Sequence, residues 1–394
     1  MIPYGRQSIS PEDVEAVRQV LLSDFLTQGP SVPQFEDALS KKVLVKHAVA
    51  CNSATSALHL ACMALGVHEG DFVWTCPNSF VASANCAQLC GAAVDFVDID
   101  PHTLCMDAVA LEKKLQDCQK NGKPLPKAVI PVHFAGLSCD MPTIHRLGQQ
   151  YGFRIIEDAS HAVGSKVSFP ERSADHYVGS CEFSDICVFS FHPVKIITTG
   201  EGGACLTQSD ELAHRLKALR SHGITRTESE MSEPSHGAWY YQMLALGPNY
   251  RLTDIQAALG ISQLERLDAF VTKRQELAKD YQTLLASDQR LQNFDIQVQA
   301  TPSYCQSSFH LFVVQVPQNQ RKVCFDALRA NGFGVNVHYI PIHTQPYYQA
   351  QGFQWGDFPR SEAYYKRAIS LPIYPHLPQT APEQVVDTLA RALT

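Results

Sequence analysis

Short apolar runs alternate with helical stretches between residues 48 and 207, and this alternation restricts the possible folds more than any other feature. Helix-like spacing is clearest over residues 56–65, 108–119 and 141–151. Strands separated by helices predict a mainly parallel sheet with helices on both faces. The predicted strands are residues 48–50, 72–74, 94–97, 128–132, 154–156, 186–189 and 203–206.

The rest of the chain predicts a second, smaller unit. Residues 253–285 have the pattern of one long helix leading out of the sheet domain. Beyond it come a strand at 311–314, a helix at 322–330, a strand at 335–338 and a final helix from Pro382. We therefore expect a large α/β domain over residues 1–260, including the N-terminal segment, and a small α+β domain over residues 261–394.

Ligands of parallel sheets bind beyond the carboxyl ends of the strands, so polar residues at those positions are the candidates for a site. Residues 51–57, with the sequence CNSATSA, form a small polar turn that opens a helix. Free backbone N–H groups and hydroxyls at a helix start suit a phosphate. An ordinary helix N-cap would have the same composition.

Asp158 directly follows the predicted strand 154–156. A carboxylate there could pair with a protonated ring nitrogen and keep an attached ring electron-poor. An N-cap or a metal ligand is the alternative interpretation of this residue.

Lys195 lies in the segment 189–203, FSFHPVKIITTGEGG, between a strand and a glycine-rich return. Most lysines are solvated surface charges. Here Val194, Ile196 and Ile197 flank the lysine and would bury the aliphatic part of its side chain. Desolvation lowers the pKa of an ammonium group and frees the amine to attack a carbonyl. The sequence therefore predicts a nucleophilic lysine.

Charge and cysteine content exclude several classes of protein. The net charge of −7 provides no basic surface for nucleic acid. The thirteen cysteines lack a C-x-x-C pair, which argues against a disulfide framework and against a zinc site, so no metal is expected. No apolar run is long enough to span a membrane, and the N-terminus lacks the features of a signal peptide. We expect a cytoplasmic protein with buried, reduced cysteines.

Taken together, these motifs resemble the DegT/DnrJ/EryC1 family of sugar aminotransferases, from Pro3 almost to the C-terminus. The family has the type I fold of enzymes that depend on pyridoxal 5′-phosphate (PLP). The resemblance depends on residues 26–30 (LTQGP), 78–85 (NSFVASAN), 157–159 (EDA), 190–203 and 249–251 (NYR), which occur in that order.

The resemblance implies a role for each matching residue. Lys195 would bind PLP covalently and move the proton between substrate and cofactor, and Asp158 would pair with the pyridinium nitrogen. Phe80 would stack on the ring, and His161 would lie near its phenolic side. The phosphate would be bound by Thr55, Ser56 and Ser190, together with Asn249 of a neighbouring subunit, so the resemblance also implies a homodimer.

Two further stretches, residues 2–7 with 23–30 and residues 336–348, resemble members that act in pseudaminic acid biosynthesis. Such members aminate C4 of a UDP-linked 4-keto-6-deoxy-N-acetylhexosamine of L-arabino configuration, with glutamate as donor. The expected substrate contacts are Tyr4, Gln28, His338 and Tyr339, although packed aromatic residues and a structural histidine would look the same.

Three alternatives stay open from the sequence. A transaminase of a D-xylo 4-keto sugar or of a 3-keto sugar would share most motifs. A dehydratase or epimerase could use the same fold, but family dehydratases carry histidine at the lysine position. A regulatory member without turnover is a third alternative. A nicotinamide-dependent enzyme is disfavoured, because no dinucleotide fingerprint follows the first strand.

Overall fold

The computed structural model describes residues 1–168 and 176–394, and a seven-stranded sheet forms its centre. Its strands are β1 His47–Cys51, β2 Phe72–Thr75, β3 Ala93–Phe96, β4 Ala128–Ile130, β5 Arg154–Asp158, β6 Ile186–Ser190 and β7 Gly203–Thr207. All seven strands predicted for the parallel sheet are confirmed. The strand order is β1-β7-β6-β5-β4-β2-β3, and all neighbours are parallel except β7, which is antiparallel to both β1 and β6.

Helices surround this sheet and form much of the second unit. The helices are α1 Pro11–Leu21, α2 Ser31–Val43, α3 Ala54–Ala64, α4 Ala82–Leu89, α5 Ala108–Lys120, α6 Met141–Tyr151, α7 Asp210–Arg220, α8 Asp254–Glu265, α9 Leu267–Ser287, α10 Arg321–Ala330, α11 Pro346–Gln349, α12 Pro359–Tyr365 and α13 Ala381–Leu393. Within the described part of the chain, no helix combines the length and apolar character needed to cross a bilayer.

Both faces of the sheet are buried, as alternate residues of β1 illustrate. Ala48 and Ala50 belong to one core, whereas Val49 and Cys51 belong to a second core on the opposite face. Strands covered on both faces are continuously apolar, which is why the sequence pattern identified them correctly.

A third core belongs to the C-terminal part of the chain. A three-stranded antiparallel sheet of β8 Gln297–Val298, β9 Phe312–Gln315 and β10 Ala368–Leu371 packs there with α10 and α13. Helix α9 joins the two units, because Val271 lies in a sheet core and Leu277 lies in the third core. The predicted domain boundary at residue 260 stays a prediction.

Short strands form two further small sheets. Lys166–Val167, His176–Tyr177 and Cys305–Gln306 form one small sheet, and Ile224–Thr225 pairs with Gln242–Met243. The N-terminus runs to the C-terminal unit, where Ile2 pairs with Phe333 and the carbonyl of Tyr4 accepts a 3.0 Å hydrogen bond from the N–H of Ile373.

Two predicted elements differ in the structure. The single helix over 253–285 is wrong: α8 ends at Glu265 and α9 begins at Leu267, with a break at Arg266, whose guanidinium pairs with the buried Asp13. The strand over 335–338 is also wrong, since only a single bridge joins Asn336 to Ser370. Asn336, Val337 and His338 of this segment line a cavity, whereas Val335 lies in the third core.

The cysteines match expectation. All thirteen are free thiols, and eleven of them are buried, with Cys90 and Cys118 partly exposed.

Candidate active site

A cavity of about 840 Å³ lies beyond the carboxyl ends of β1, β5 and β6. Parallel strands end at the same edge of a sheet, so the turns after Cys51, Asp158 and Ser190 meet there. Ten of the twelve predicted site residues line this cavity. They are Tyr4, Thr55, Ser56, Phe80, Asp158, His161, Ser190, Lys195, His338 and Tyr339.

The two remaining predicted residues, Gln28 and Asn249, lie outside the cavity of this chain. Gln28 is exposed and lines a separate surface pocket with Arg220 and Arg251. Asn249 is also exposed, and it forms an isolated bridge with Ser221. Their predicted contacts with substrate and with the phosphate of a neighbouring subunit stay predictions.

The first turn of α3 forms one wall of the cavity. Ser53 is the N-cap, and its Oγ accepts a 3.1 Å hydrogen bond from the N–H of Ser56. Gly203 allows β7 to pass close to the start of α3, since a Cβ at this position would lie 2.5 Å from the carbonyl carbon of Ser53. The remaining N–H groups and the hydroxyl of Thr55 thus form a site with positive potential for an anion.

Asp158 is buried at the end of β5, with both carboxylate oxygens in use. Oδ2 accepts a 2.6 Å hydrogen bond from Ser83 Oγ, and Oδ1 accepts a 3.2 Å bond from the N–H of Ser160. The hydrogen of Ser83 is committed to the carboxylate, so Ser79 donates to Ser83 across their 2.6 Å contact. Two serines of α4 and its preceding turn therefore orient a buried negative charge.

Lys195 lies on the loop after β6, and its ammonium group is desolvated. The N–H of Lys195 donates to the carbonyl of His192 at 2.8 Å, and the N–H of Thr199 closes the loop by donating to the carbonyl of Phe191 at 3.0 Å. Ile196 and Ile197 are buried, as predicted. Burial lowers the pKa of Lys195 to about 8, although the negative charge of Asp158 opposes that shift. The amine is thereby more nucleophilic at neutral pH than an exposed lysine.

The imidazole of His161 has a defined tautomer. Its Nδ1 accepts a 3.2 Å hydrogen bond from the N–H of Ala135, so Nε2 carries the proton and donates to Tyr339 Oη at 3.0 Å. The hydroxyl hydrogen of Tyr339 is thus left for a partner in the cavity. Burial and the nearby charge of Lys195 keep the pKa of His161 well below its ordinary value.

His338 and Tyr4 also line the cavity. The Nδ1 of His338 lies 2.8 Å from Ser370 Oγ, and its ring centre lies 5.2 Å from that of Tyr4. Burial lowers the pKa of His338 to about 3, so the ring is neutral. Phe80 lines the cavity with an exposed side chain, and its ring centre lies 6.2 Å from that of Tyr339.

The residues of the cavity fit a phosphorylated, aldehyde-bearing heterocycle. The chain provides a nucleophilic amine, a buried carboxylate, an exposed aromatic face and a helix N-terminus. Asn52 adds a buried Oδ1 that lines the cavity and has no hydrogen-bond partner within the described residues. An unpaired buried acceptor of this kind is costly unless a ligand satisfies it.

Sequence reasoning missed several residues of the site. Ser83 lies within the quoted 78–85 motif, but nothing local indicates that it reaches Asp158. His310, whose Nε2 lies 3.5 Å from Lys195 Nζ, comes from the C-terminal unit and had no signal of its own.

The fold is the type I fold of PLP-dependent aminotransferases, as the similarity to solved aminotransferase structures shows. The model of the DegT/DnrJ/EryC1/StrS aminotransferase family matches residues 7–390, and the chain belongs to this family.

Comparisons with individual proteins support the same family. The spore coat polysaccharide biosynthesis protein SpsC of Bacillus subtilis is 38% identical over 98% of this chain and 96% of its own. A UDP-4-amino-4,6-dideoxy-N-acetyl-beta-L-altrosamine transaminase of Campylobacter jejuni is 37% identical over 99% of this chain and 96% of its own. Among solved structures, Helicobacter pylori PseC, an aminotransferase of pseudaminic acid biosynthesis, superposes with a TM-score of 0.88 at 31% identity. That match covers 100% of this chain and 99% of PseC.

Proposed function

We propose that this chain is a PLP-dependent aminotransferase that moves an amino group from glutamate to C4 of a UDP-linked 4-keto-6-deoxy-N-acetylhexosamine of L-arabino configuration. The product would be UDP-4-amino-4,6-dideoxy-N-acetyl-beta-L-altrosamine, an intermediate of pseudaminic acid biosynthesis. The observation that carries the amino-transfer part is the meeting of Lys195, Asp158 and the start of α3 in one cavity. The sugar assignment rests on the Campylobacter and Helicobacter relatives.

When bound, PLP would act as an electron sink that stabilises negative charge on the substrate carbon. Asp158 would keep the pyridinium nitrogen protonated, because its buried charge favours the cationic ring. Thr55, Ser56, Ser190 and the N-terminus of α3 would hold the phosphate, and Phe80 would cover one face of the ring. His161 and Tyr339 would form a hydrogen-bonded pair beside it.

Lys195 would carry out the proton transfer in both half-reactions. Its Nζ would take the proton from the carbon of the amino donor in the first half-reaction and return a proton to C4 of the sugar in the second. An amine with a pKa of about 8 suits both directions, because it releases and accepts a proton near neutral pH. Tyr4, His338 and Tyr339 would contact the sugar.

We also propose a homodimer with the active site at the subunit interface. Large apolar side chains of one segment are exposed in the isolated chain, and Asn249 follows directly after them. These side chains are Trp239, Tyr241, Met243, Leu244 and Leu246. An exposed apolar surface next to a predicted active-site residue is typical of a subunit contact.

The first experiment tests the amino transfer itself. The purified holoprotein is reduced with borohydride, and the modified residue is located by peptide mass spectrometry. We expect the coenzyme mass on Lys195, no labelling of this position in Lys195→Ala, and normal labelling in Lys322→Ala, whose lysine is exposed on α10. Labelling at a different lysine in the wild type would contradict the proposal.

The second experiment tests the sugar. L-arabino and D-xylo 4-keto UDP-sugars are assayed side by side with glutamate, and the products are identified by NMR. We expect 2-oxoglutarate and a C4 amine from the L-arabino substrate. Preferred turnover of the D-xylo substrate would contradict the sugar assignment and support a transaminase of a different keto sugar.

A further inference from the structure

His310 contacts Lys195 from the protein side of the cavity. The two nitrogen atoms, His310 Nε2 and Lys195 Nζ, are 3.5 Å apart. His310 is buried and is not among the residues that line the cavity, whereas Lys195 is. The imidazole therefore lies behind the amine, where a substrate does not displace it.

The backbone around His310 is held by long-range hydrogen bonds. The buried guanidinium of Arg274 on α9 donates from Nη1 to the carbonyls of Phe309, His310 and Ile373 at 3.2, 3.3 and 2.9 Å. Ser308 donates its N–H to Ser165 Oγ at 3.0 Å and its hydroxyl to the carbonyl of His161 at 3.1 Å. The ring of His310 is thus presented to Lys195 by a fixed support.

The imidazole has no other polar partner among the residues described. Its Nδ1 is buried without a hydrogen bond, and its ring centre lies 4.4 Å from that of His161 with the two ring planes tilted by 46°. Burial and the neighbouring cationic Lys195 hold the pKa of His310 well below its ordinary value, so the ring is neutral. In the tautomer with the proton on Nδ1, Nε2 accepts a hydrogen bond. The titratable groups facing Lys195 are Asp158, His161, His192, His310 and His338.

We propose that His310 is a positioning residue whose Nε2 accepts a hydrogen bond from Nζ of Lys195 and holds the amine in place whenever it is not bonded to the cofactor. The inference rests on the proposed role of Lys195 as the cofactor-binding lysine. A free lysine side chain has many rotamers, and a fixed acceptor limits them to the one that points into the cavity. The proton is then transferred from a defined position.

The test measures the pH dependence of the reactivity of Lys195 in the cofactor-free protein. Its result therefore does not depend on the identity of the sugar. The rate of dinitrophenylation by 1-fluoro-2,4-dinitrobenzene is followed against pH, and the Lys195 peptide is quantified by mass spectrometry. An acceptor for the ammonium group raises its pKa, so we expect His310→Phe and His310→Asn to move the midpoint down by about one pH unit. The longer amide of His310→Gln reaches the position of Nε2, so this variant should bring the midpoint most of the way back to the wild-type value.

A matched control separates positioning from packing. His343 is an equally buried histidine that pairs with Glu362 at 3.0 Å, and His343→Gln should leave the Lys195 profile unchanged. In the loaded enzyme, His310→Asn should lower kcat about 10-fold with less than a twofold change in KM, because the loss affects proton transfer rather than substrate binding.

The outcomes distinguish this inference from the proposed function. An unchanged Lys195 profile in both His310→Phe and His310→Asn would overturn the inference while leaving amino transfer intact. If only one of these variants folds, the profile of that variant decides. A shifted profile that Gln restores, in an enzyme that turns over no keto sugar, would support the positioning role and reject the function.

Discussion

Ser83 Oγ donates a 2.6 Å hydrogen bond to Oδ2 of Asp158, and this bond links helix α4 to the carboxylate at the end of β5. Both residues are buried, so the bond is protected from water. A hydrogen bond to a buried charge is among the stronger kinds in proteins. The orientation of the charge that would face the cofactor ring therefore depends on a helix more than 70 residues earlier in the chain.

We expect Ser83→Ala to lower kcat about 10-fold, because Asp158 would lose its hydroxyl donor and hold the ring nitrogen less precisely. Ser79→Ala removes the donor to Ser83 and should have a smaller effect in the same direction. Steady-state kinetics of amino transfer and the stoichiometry of bound cofactor provide the measurements. No effect of Ser79→Ala, or an effect larger than that of Ser83→Ala, would show that the serines do not act in series.

The pH dependence of cofactor loading follows from the environment of Lys195. Burial lowers its pKa to about 8, and only the neutral amine attacks the aldehyde of PLP. The neutral fraction increases as pH rises through this value, so the loading rate of the cofactor-free protein should rise to a plateau above about pH 9. Stopped-flow absorbance measures the rate, and Lys195→Ala is the control for reaction at surface lysines. A midpoint near the ordinary lysine pKa would contradict a desolvated amine.

Gly203→Ala should disturb the start of α3. The new Cβ would lie 2.5 Å from the carbonyl carbon of Ser53 and 2.6 Å from the N atom of Ala54, and backbone atoms have little freedom to move. We expect the free energy of unfolding to fall by about 1–3 kcal/mol and the affinity for the cofactor to fall with it. Gly5→Ala is the matched control, since its Cβ would make an ordinary 3.6 Å contact with Val194. Denaturant unfolding and cofactor titration would compare the two variants.

The large sheet was predictable because its strands are buried on both faces and are bounded by turns. Cys187 and Phe189 of β6 lie in one core, and Ile186 and Val188 lie in the other, so the whole run is apolar. The positions of Asp158 and Lys195 followed from that sheet, since parallel strands bring their carboxyl ends together.

Other features depend on contacts that local sequence does not encode. The break between α8 and α9 occurs at Arg266, which pairs with Asp13 about 250 residues away. The segment at 335–338 has the composition of a strand, yet His338 reaches Ser370 and the cavity wall. The contact of His310 with Lys195 could not be predicted for the same reason, because the two residues are 115 positions apart.

The proposed dimer leads to a final prediction about the exposed apolar segment. Leu246 is 82% exposed and Trp239 is 74% exposed, and burial of such side chains against a second copy would stabilise the assembly. We expect Leu246→Glu to shift the protein from dimer to monomer in sedimentation velocity, because a charge placed in an apolar contact is poorly solvated.

Activity should fall together with the dimer, since Asn249 of one subunit is proposed to complete the phosphate site of the other. The control is Val109→Glu, which changes a valine on α5 that is 75% exposed. This variant should remain dimeric and active. If Leu246→Glu stayed dimeric while Val109→Glu dissociated, the contact would lie on a different face. If a stable monomer kept full activity, each chain would hold a complete site of its own, and Asn249 would have no role across the interface.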